Sequence, residues 1–285
     1  MSAQAGYRIV RLPNGAHSVH SLAHGETFHP VIGPVAEAEA LYVRQLRLIE
    51  RLQTNQGEFV IWDVGLGAAA NAISVLQATR HLLCSIHLVS FDNTLEPLEF
   101  ALQNTQHLTY LAGYERQFDS LLKERRTSFG DGRQTIRWEI HVADFPGLLS
   151  ESRAQVLPKP HAIMFDAFSP AKNPAMWTQP LFANLFKLLD PARPCVLPTY
   201  SRSTMLRVTL LLAGFFVGVG HATGQKEETT IAANSLDLLD EPLDRRWLQR
   251  AHRSSSAEPM WGPIYRQSPL SPESWPRLQQ HPQFC

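Results

Sequence analysis

The stretch Glu58-Phe-Val-Ile-Trp-Asp63-Val-Gly65-Leu-Gly67-Ala-Ala69-Ala-Asn71 constrains the fold more than any other part of this chain. It reads as a buried apolar strand running into a glycine turn and then an alanine-rich helix start. Strand, tight turn and helix N-terminus together present backbone N–H groups and the positive end of a dipole, which suits a nucleotide-like ligand. Gly65 and Gly67 let the backbone turn sharply and approach a ligand closely. Asp63 ends the strand. A carboxylate there repels a pyrophosphate but suits the cationic sulfonium and α-amino group of S-adenosylmethionine. Two alternatives stay open. Gly65-x-Gly67-x-x-Ala70 also satisfies a relaxed dinucleotide fingerprint, and a glycine turn can serve simple close packing of helix on sheet. Asp92 ends the next apolar run (85–91) where a ribose-binding acid belongs, but both ligands carry a ribose diol, so it does not discriminate.

Alternation of period-two and helical patterns continues along the chain. Strands are expected at 59–62, 86–91, 136–142, 161–165, 195–199, 215–219 and 229–233. Helices are expected at 37–53, 69–79, 95–106, 114–126, 177–189 and 203–213. Repeated β–α alternation predicts an α/β fold: a doubly wound, Rossmann-like, mainly parallel sheet with helices on both faces. Ligands in such sheets bind beyond the strands' C-terminal ends. Residues 1–35, with Pro13-Asn14-Gly15 and Gly33-Pro34, read as a hairpin cover. The main domain is expected over 36–235, and the proline-rich stretch 236–285 as an extended tail packed on it.

Composition narrows the function classes. The 285 residues are 44% hydrophobic and 18% charged, with a formal net charge of zero, which argues against an overall nucleic-acid-binding surface though not a local patch. Basic residues gather at Lys123, Arg125, Arg126, Arg133 and Arg137, and again at Arg245, Arg246, Arg250 and Arg253; each cluster can contact phosphates, though on a neutral chain a solvated face is the favoured reading. The three cysteines (Cys84, Cys195, Cys285) share no C-x-x-C spacing, which fits a reducing cytosol and no cysteine-based zinc site. The N-terminus lacks a signal-peptide layout, and the uncharged run 208–225 has an apolar part shorter than the roughly 20 residues a membrane span needs. A cytoplasmic protein without membrane or metal is expected. The histidines His17, His20, His24 and His29 match no common metal-ligand spacing.

Two further carboxylates sit at predicted strand ends. Asp144-Phe145 follows the third main strand, where the acid can accept from an adenine amino group while the ring packs on the base; a helix N-cap is the alternative. Asp166 ends the apolar run 163–165 and opens a proline-punctuated loop. At the fourth strand's tip it can position, or take a proton from, a nucleophilic amine. Phe168 and Trp177 can wall an aromatic pocket, or Trp177 can anchor its helix in the core.

These motifs in this order resemble a known family. Gly15-Ala-His17 with Gly25-Glu26-x-Phe28-His29-x-x-x-Gly33-Pro34-x-x-Glu37 is similar to the N-terminal signature of the methyltransferase domain in the bifunctional enzyme that makes 5-methylaminomethyl-2-thiouridine in tRNA. Asp63-x-Gly65-x-Gly67 resembles its donor loop, with Ala69 where the family has a third glycine. Asp166-Ala-Phe168-Ser-Pro170-Ala-Lys-Asn173-Pro174-x-Met176-Trp177 resembles its most specific run. Thr199-Tyr-Ser201, Arg207, Ala213-Gly214-Phe215 and Gly224-x-Lys226 fit later elements, so the resemblance covers 12–233. It implies a stand-alone S-adenosylmethionine-dependent N-methyltransferase without the flavin oxidase, acting on the aminomethyl group of a modified wobble uridine in tRNA. It implies donor binding by Asp63, Gly65, Gly67, Asp92, Asp144 and Phe145, catalysis by Asp166, and a substrate pocket of Glu26, His29, Phe168 and Trp177. A functional partner would supply the aminomethyl-uridine. The alternatives are methylation of a small amine or another nucleotide, or a non-catalytic nucleotide- or flavin-binding protein.

Overall fold

The computed structural model describes residues 6–224 and 227–285; Lys226, from the late family motif, lies outside them. In chain order the strands are β1 (Tyr7–Arg11), β2 (His17–Ser21), β3 (Glu26–Thr27), β4 (Glu58–Val64), β5 (Ser85–Asp92), β6 (Arg126–Asp131), β7 (Gln134–Val142), β8 (Ala162–Phe165), β9 (Val196–Thr199), β10 (Phe216–Gly220) and β11 (Thr229–Ala233). The α-helices are α1 (Pro34–Ala38), α2 (Leu48–Thr54), α3 (Ala70–Thr79), α4 (Glu96–Leu102), α5 (Glu115–Glu124), α6 (Phe145–Ser150), α7 (Gln179–Leu188), α8 (Thr204–Leu212), α9 (Arg245–His252) and α10 (Ser274–Gln279). Helices flank an eight-stranded sheet ordered β10-β11-β9-β8-β4-β5-β7-β6, and β1, β2 and β3 form a separate antiparallel sheet.

The expected doubly wound sheet is present, with a parallel β4–β5–β7 centre and antiparallel pairs at both edges. The described residues divide into two compact units, the first holding 6–144, 163–166, 222–224 and 227, the second the remainder.

In the first unit β4 is buried at every position after Glu58, the pattern of a strand covered on both faces. α3 follows the glycine turn and buries Ala70 through Leu76 without interruption. Helices apolar all round belong in the core. Ile73, Val75 and Leu76 are fully buried, each stabilising the unit by about 1.5–3 kcal/mol relative to exposure.

Two departures from the sequence reading occur here. The helix expected over 37–53 is broken into α1, a π-helical turn at Glu39–Arg44 and α2, with Arg47 in the left-handed region at φ 49°. The apolar spacing suits a single helix, but burial of Leu41, Leu46 and Leu48 together is met by re-phasing the chain. β6 is an edge strand that the sequence reading passed over, because Phe129 is its one large apolar residue.

In the second unit Thr178 caps α7, its hydroxyl accepting from the Leu181 N–H at 3.4 Å, so that helix starts two residues later than expected, after a 3-10 turn at Pro174–Trp177. The tail beyond 236 carries α9 and α10 as well as irregular stretches. Asp244 caps α9 by accepting from Trp247 N–H at 2.7 Å. Glu258 gathers the irregular part, accepting from Ser271 N–H, Ser274 Oγ and Trp261 Nε1. Gln283 bonds β10 at both Val217 N–H and Val217 carbonyl.

Candidate active site

Four residues of the first unit, from the ends of β4, β5 and β8 and the start of α3, build the site: Asp63, Asp92, Asp166 and Asn71. The glycine turn connects them. Gly65 and Gly67 have φ of 92° and 51°, conformations that favour glycine. A Cβ on Gly67 would stand 3.1 Å from Phe28 Cε2, so the N-terminal segment lies directly on the turn. Ala69 adopts φ 59° at the start of α3, the left-handed geometry that suits the glycine found there in the resembling family.

The turn's amides are largely committed within the protein. Gly65 and Leu66 N–H donate to the Phe91 carbonyl at 2.9 and 3.3 Å, and Ala69 N–H to the Leu66 carbonyl at 2.8 Å. Gly67 N–H donates to Asp92 Oδ2 at 2.9 Å. A pyrophosphate needs such amides free and acids absent. Two acids, Asp63 and Asp92, stand at the turn, which suits a cationic ligand better than a pyrophosphate.

Asp63 is 1% exposed. Its Oδ2 accepts from Ser90 Oγ at 2.8 Å, and Ser90 Oγ accepts from Trp138 Nε1 at 2.9 Å, a relay across β7, β5 and β4. Its Oδ1 is buried with no hydrogen-bond partner. Burial pushes the carboxyl up to about 7; the Ser90 hydrogen bond opposes this, and the nearby Asp166 and Asp92 charges reinforce it. Asp92 is raised by burial as well, against the amides of Gly67, Thr94 and Asn93. Its Oδ1 accepts from Asn93 N–H at 2.8 Å, so Asp92 braces the turn in addition to any contact with a ribose.

Asp166 stands just past β8, its N–H donating to the Val64 carbonyl at 3.0 Å. Asn71 Nδ2 donates to Asp166 Oδ2 at 2.8 Å, and His29 Nε2 lies 3.5 Å from the same oxygen. His29 is placed by a left-handed backbone, φ 47°. Glu26 lies half-buried in β3, and Asp144 is exposed after β7.

In the second unit Phe145 opens α6 and is buried. Trp177 is 1% exposed; its Nε1 donates to the Phe168 carbonyl at 2.7 Å, and its ring meets Tyr200 edge-on at 5.9 Å. Its surroundings are those of a core anchor that fixes the Phe168 backbone.

Asn71 and Phe28 were not picked out as site residues from the sequence. Asn71 had a signal: an amide side chain inside the apolar run Ala70-Asn71-Ala72-Ile73. The N-terminal histidines are spread among separate partners, His20 on Thr27, His24 on Ser21 and His17 against the His107 ring. Arg125 and Arg126 line a surface groove of about 370 Å³ together with Glu124, Glu139 and His141, so acids interleave with the basic cluster there. Among the described residues no helix is long and apolar enough to cross a membrane.

The site's donor set fits S-adenosylmethionine: a buried, unpartnered carboxylate oxygen at the strand tip, an acid at the next strand and a glycine turn between them. Fold and donor set suit an S-adenosyl-L-methionine-dependent methyltransferase. A model of an S-adenosyl-L-methionine-dependent methyltransferase family matches residues 111–235. The chain is related to the methyltransferase part of the tRNA 5-methylaminomethyl-2-thiouridine biosynthesis bifunctional proteins. It is 28% identical to the Aeromonas hydrophila protein of that name over 75% of this chain and 34% of that protein. With the Pseudomonas putida protein the figures are 27%, 81% and 35%. The chain thus spans about a third of the length of these curated relatives. Among solved structures, MnmC2 from Aquifex aeolicus aligns over 98% of this chain and 84% of its own, with TM-score 0.68 and 21% identity. A spermidine synthase bound to a transition-state analogue aligns over 97% and 82%, with TM-score 0.51 and 13% identity. Both likenesses are of fold.

Proposed function

We propose that the chain methylates the aminomethyl group of a modified wobble uridine in tRNA. The observation that carries this reading is Asp166. It is a carboxylate at a strand tip, fixed by Asn71 on one oxygen, within the Asp166–Trp177 run that resembles the family's most specific motif. When bound, S-adenosylmethionine supplies a methyl group on a positively charged sulfur. Asp63 and the Gly65–Gly67 turn would hold its methionine portion, Asp92 the ribose, and Asp144 with Phe145 the adenine. An amine that forms a new N–C bond must shed a proton, and Asp166 is placed to take it. Holding the lone pair in line with the breaking S–C bond supplies much of the rate through orientation. Glu26, His29 and Phe168 would bound the acceptor, with Trp177 supporting Phe168.

The test incubates the protein with isotopically labelled methyl donor and tRNA carrying the unmethylated aminomethyl-uridine, followed by digestion and nucleoside identification. Label in the 5-methylaminomethyl nucleoside is the expected result. Transfer to free small amines but not to tRNA would replace this acceptor with a small molecule.

A further inference from the structure

We infer that Asn71 is a positioning residue for Asp166, aiming its carboxylate by holding one oxygen and leaving the other to the acceptor. This rests on the proposed role of Asp166. Asn71 is 3% exposed, within the first turn of α3. Its Nδ2 donates to Asp166 Oδ2 at 2.8 Å, while its Oδ1 is buried with no partner at all. An amide so placed is expensive for the fold, because a buried acceptor has lost water and gained nothing. An apolar side chain would fill the same helix position without that penalty, as Ala70, Ala72 and Ile73 do around it.

What the amide secures is geometry. Both contacts to the Asp166 side chain, from Asn71 and from His29, converge on Oδ2. Among the described residues nothing engages Oδ1. A carboxylate held on one oxygen and by its own backbone N–H has its second oxygen in a defined direction. The amide's orientation follows from the charge it faces, since turning it over would set oxygen against oxygen. The titratable groups bearing on Asp166 are His29 at 3.5 Å and the Asp63 carboxyl, with Asp92 coupled to Asp63. A donor N–H on the ionised form lowers a carboxyl's pKa, and a neighbouring carboxylate raises it.

The test compares wild type, Asn71→Ala and Asn71→Asp by melting temperature, donor affinity in calorimetry, NMR titration of a ¹³C-labelled Asp166 carboxyl, and methyl transfer. For Asn71→Ala the expected results are an unchanged or higher melting temperature, donor affinity within about twofold, and an Asp166 carboxyl resonance displaced from its wild-type position. The turnover should fall about 10- to 100-fold. For Asn71→Asp the acid limb of the turnover profile should move to higher pH, since two facing carboxylates retain a proton. An Asp166 titration identical in wild type and Asn71→Ala overturns the inference, as does a melting temperature that falls in step with activity. The titration needs no acceptor. Failure of the wild type to methylate tRNA would therefore count against the proposed substrate and leave the assignment of Asn71 to be judged by the titration.

Discussion

Two polar clusters share strands β4 and β5, and they are built on opposite principles. In one, Arg137 reaches Glu58 at 2.6 Å and His87 at 2.9 Å, while His87 meets Glu139 at 3.2 Å. Basic groups stand beside acids, and each has a partner. In the other, Asp63, Asp92 and Asp166 gather at the strands' far ends with His29 as the one basic side chain in ion-pair range among the described residues. The first cluster is complete without a ligand. The second holds an excess of buried acid that a cation must offset, and S-adenosylmethionine carries positive charge at both sulfonium and amine. The contrast teaches that unbalanced polarity, more than polarity itself, marks the site.

The largest expected effect falls on the unbalanced side. Asp166→Asn removes the proposed proton acceptor while keeping shape, so methyl transfer should fall by about 10²-fold or more. Donor affinity and melting temperature should stay near wild type. If donor binding and melting temperature drop together with turnover, Asp166 is a support for its loop, and the contrast between the clusters is lost.

Asp63→Asn should weaken donor binding about 10- to 150-fold, the equivalent of about 1.5–3 kcal/mol for a charged hydrogen bond. Its pH signature has a definite sign. With the folded carboxyl at about 7 and an unfolded one near 4, the folded state binds the extra proton between those values. The ligand-free protein's stability should therefore decline as pH rises through that window and level off above it. A cationic ligand favours the ionised form, so the thermal upshift from S-adenosylmethionine should be larger at pH 8 than at pH 6. Asp63→Asn should flatten both trends. Equal upshifts at the two pH values in wild type would falsify the electrostatic account.

Gly67→Ala probes the turn that borders the acidic cluster. Its φ of 51° costs a side-chain-bearing residue about 1–2 kcal/mol, and its Cβ would press Phe28 at 3.1 Å. Chemical denaturation should register that loss, with weaker donor binding. Adding Phe28→Ala should relieve the steric part of the binding defect and leave the backbone part. A fully additive double mutant would show that Phe28 and the turn act independently.

The smallest effect is expected in the balanced cluster. Glu139 is held well below the usual carboxylate range by His141 and His87, against the push of burial. Its stabilisation is thus present at neutral pH and lost as acid protonates it. Glu139→Gln should cost about 1 kcal/mol, since the group is partly exposed, and leave donor affinity untouched. A change in donor binding here would mean that the clusters communicate.

Much of this contrast was legible in the sequence on its acidic side. Asp63, Gly65 and Gly67 lie within five residues, so strand, turn and helix start declare themselves locally. Asp92 and Asp166 end apolar runs and are readable for the same reason. The pairing of Asn71 with Asp166 spans 95 positions and depends on strand order, which local pattern does not specify. β6 escaped notice because an edge strand needs few apolar residues, and the helix over 37–53 broke where tertiary packing overrode an unbroken helical period. The tail was illegible for a related reason: Glu258 and Gln283 stabilise it through individual side-chain hydrogen bonds, which leave no periodic trace.

Gln283 has a consequence for how this molecule behaves among its own copies. β10 borders the sheet, and a bordering strand offers its amides and carbonyls to any extended chain that comes alongside. Here Val219 N–H donates to the Glu241 carbonyl and Leu243 N–H to the Val217 carbonyl, each at 2.9 Å. Pro242 sits opposite Gly218, a residue with no N–H to extend the ladder outward. The carboxamide of Gln283 then takes the Val217 N–H at 2.8 Å and returns a donor to the Val217 carbonyl at 2.7 Å. The border is thus closed by a proline and one side chain, and a neighbouring molecule finds no template there on which to begin an intermolecular ribbon.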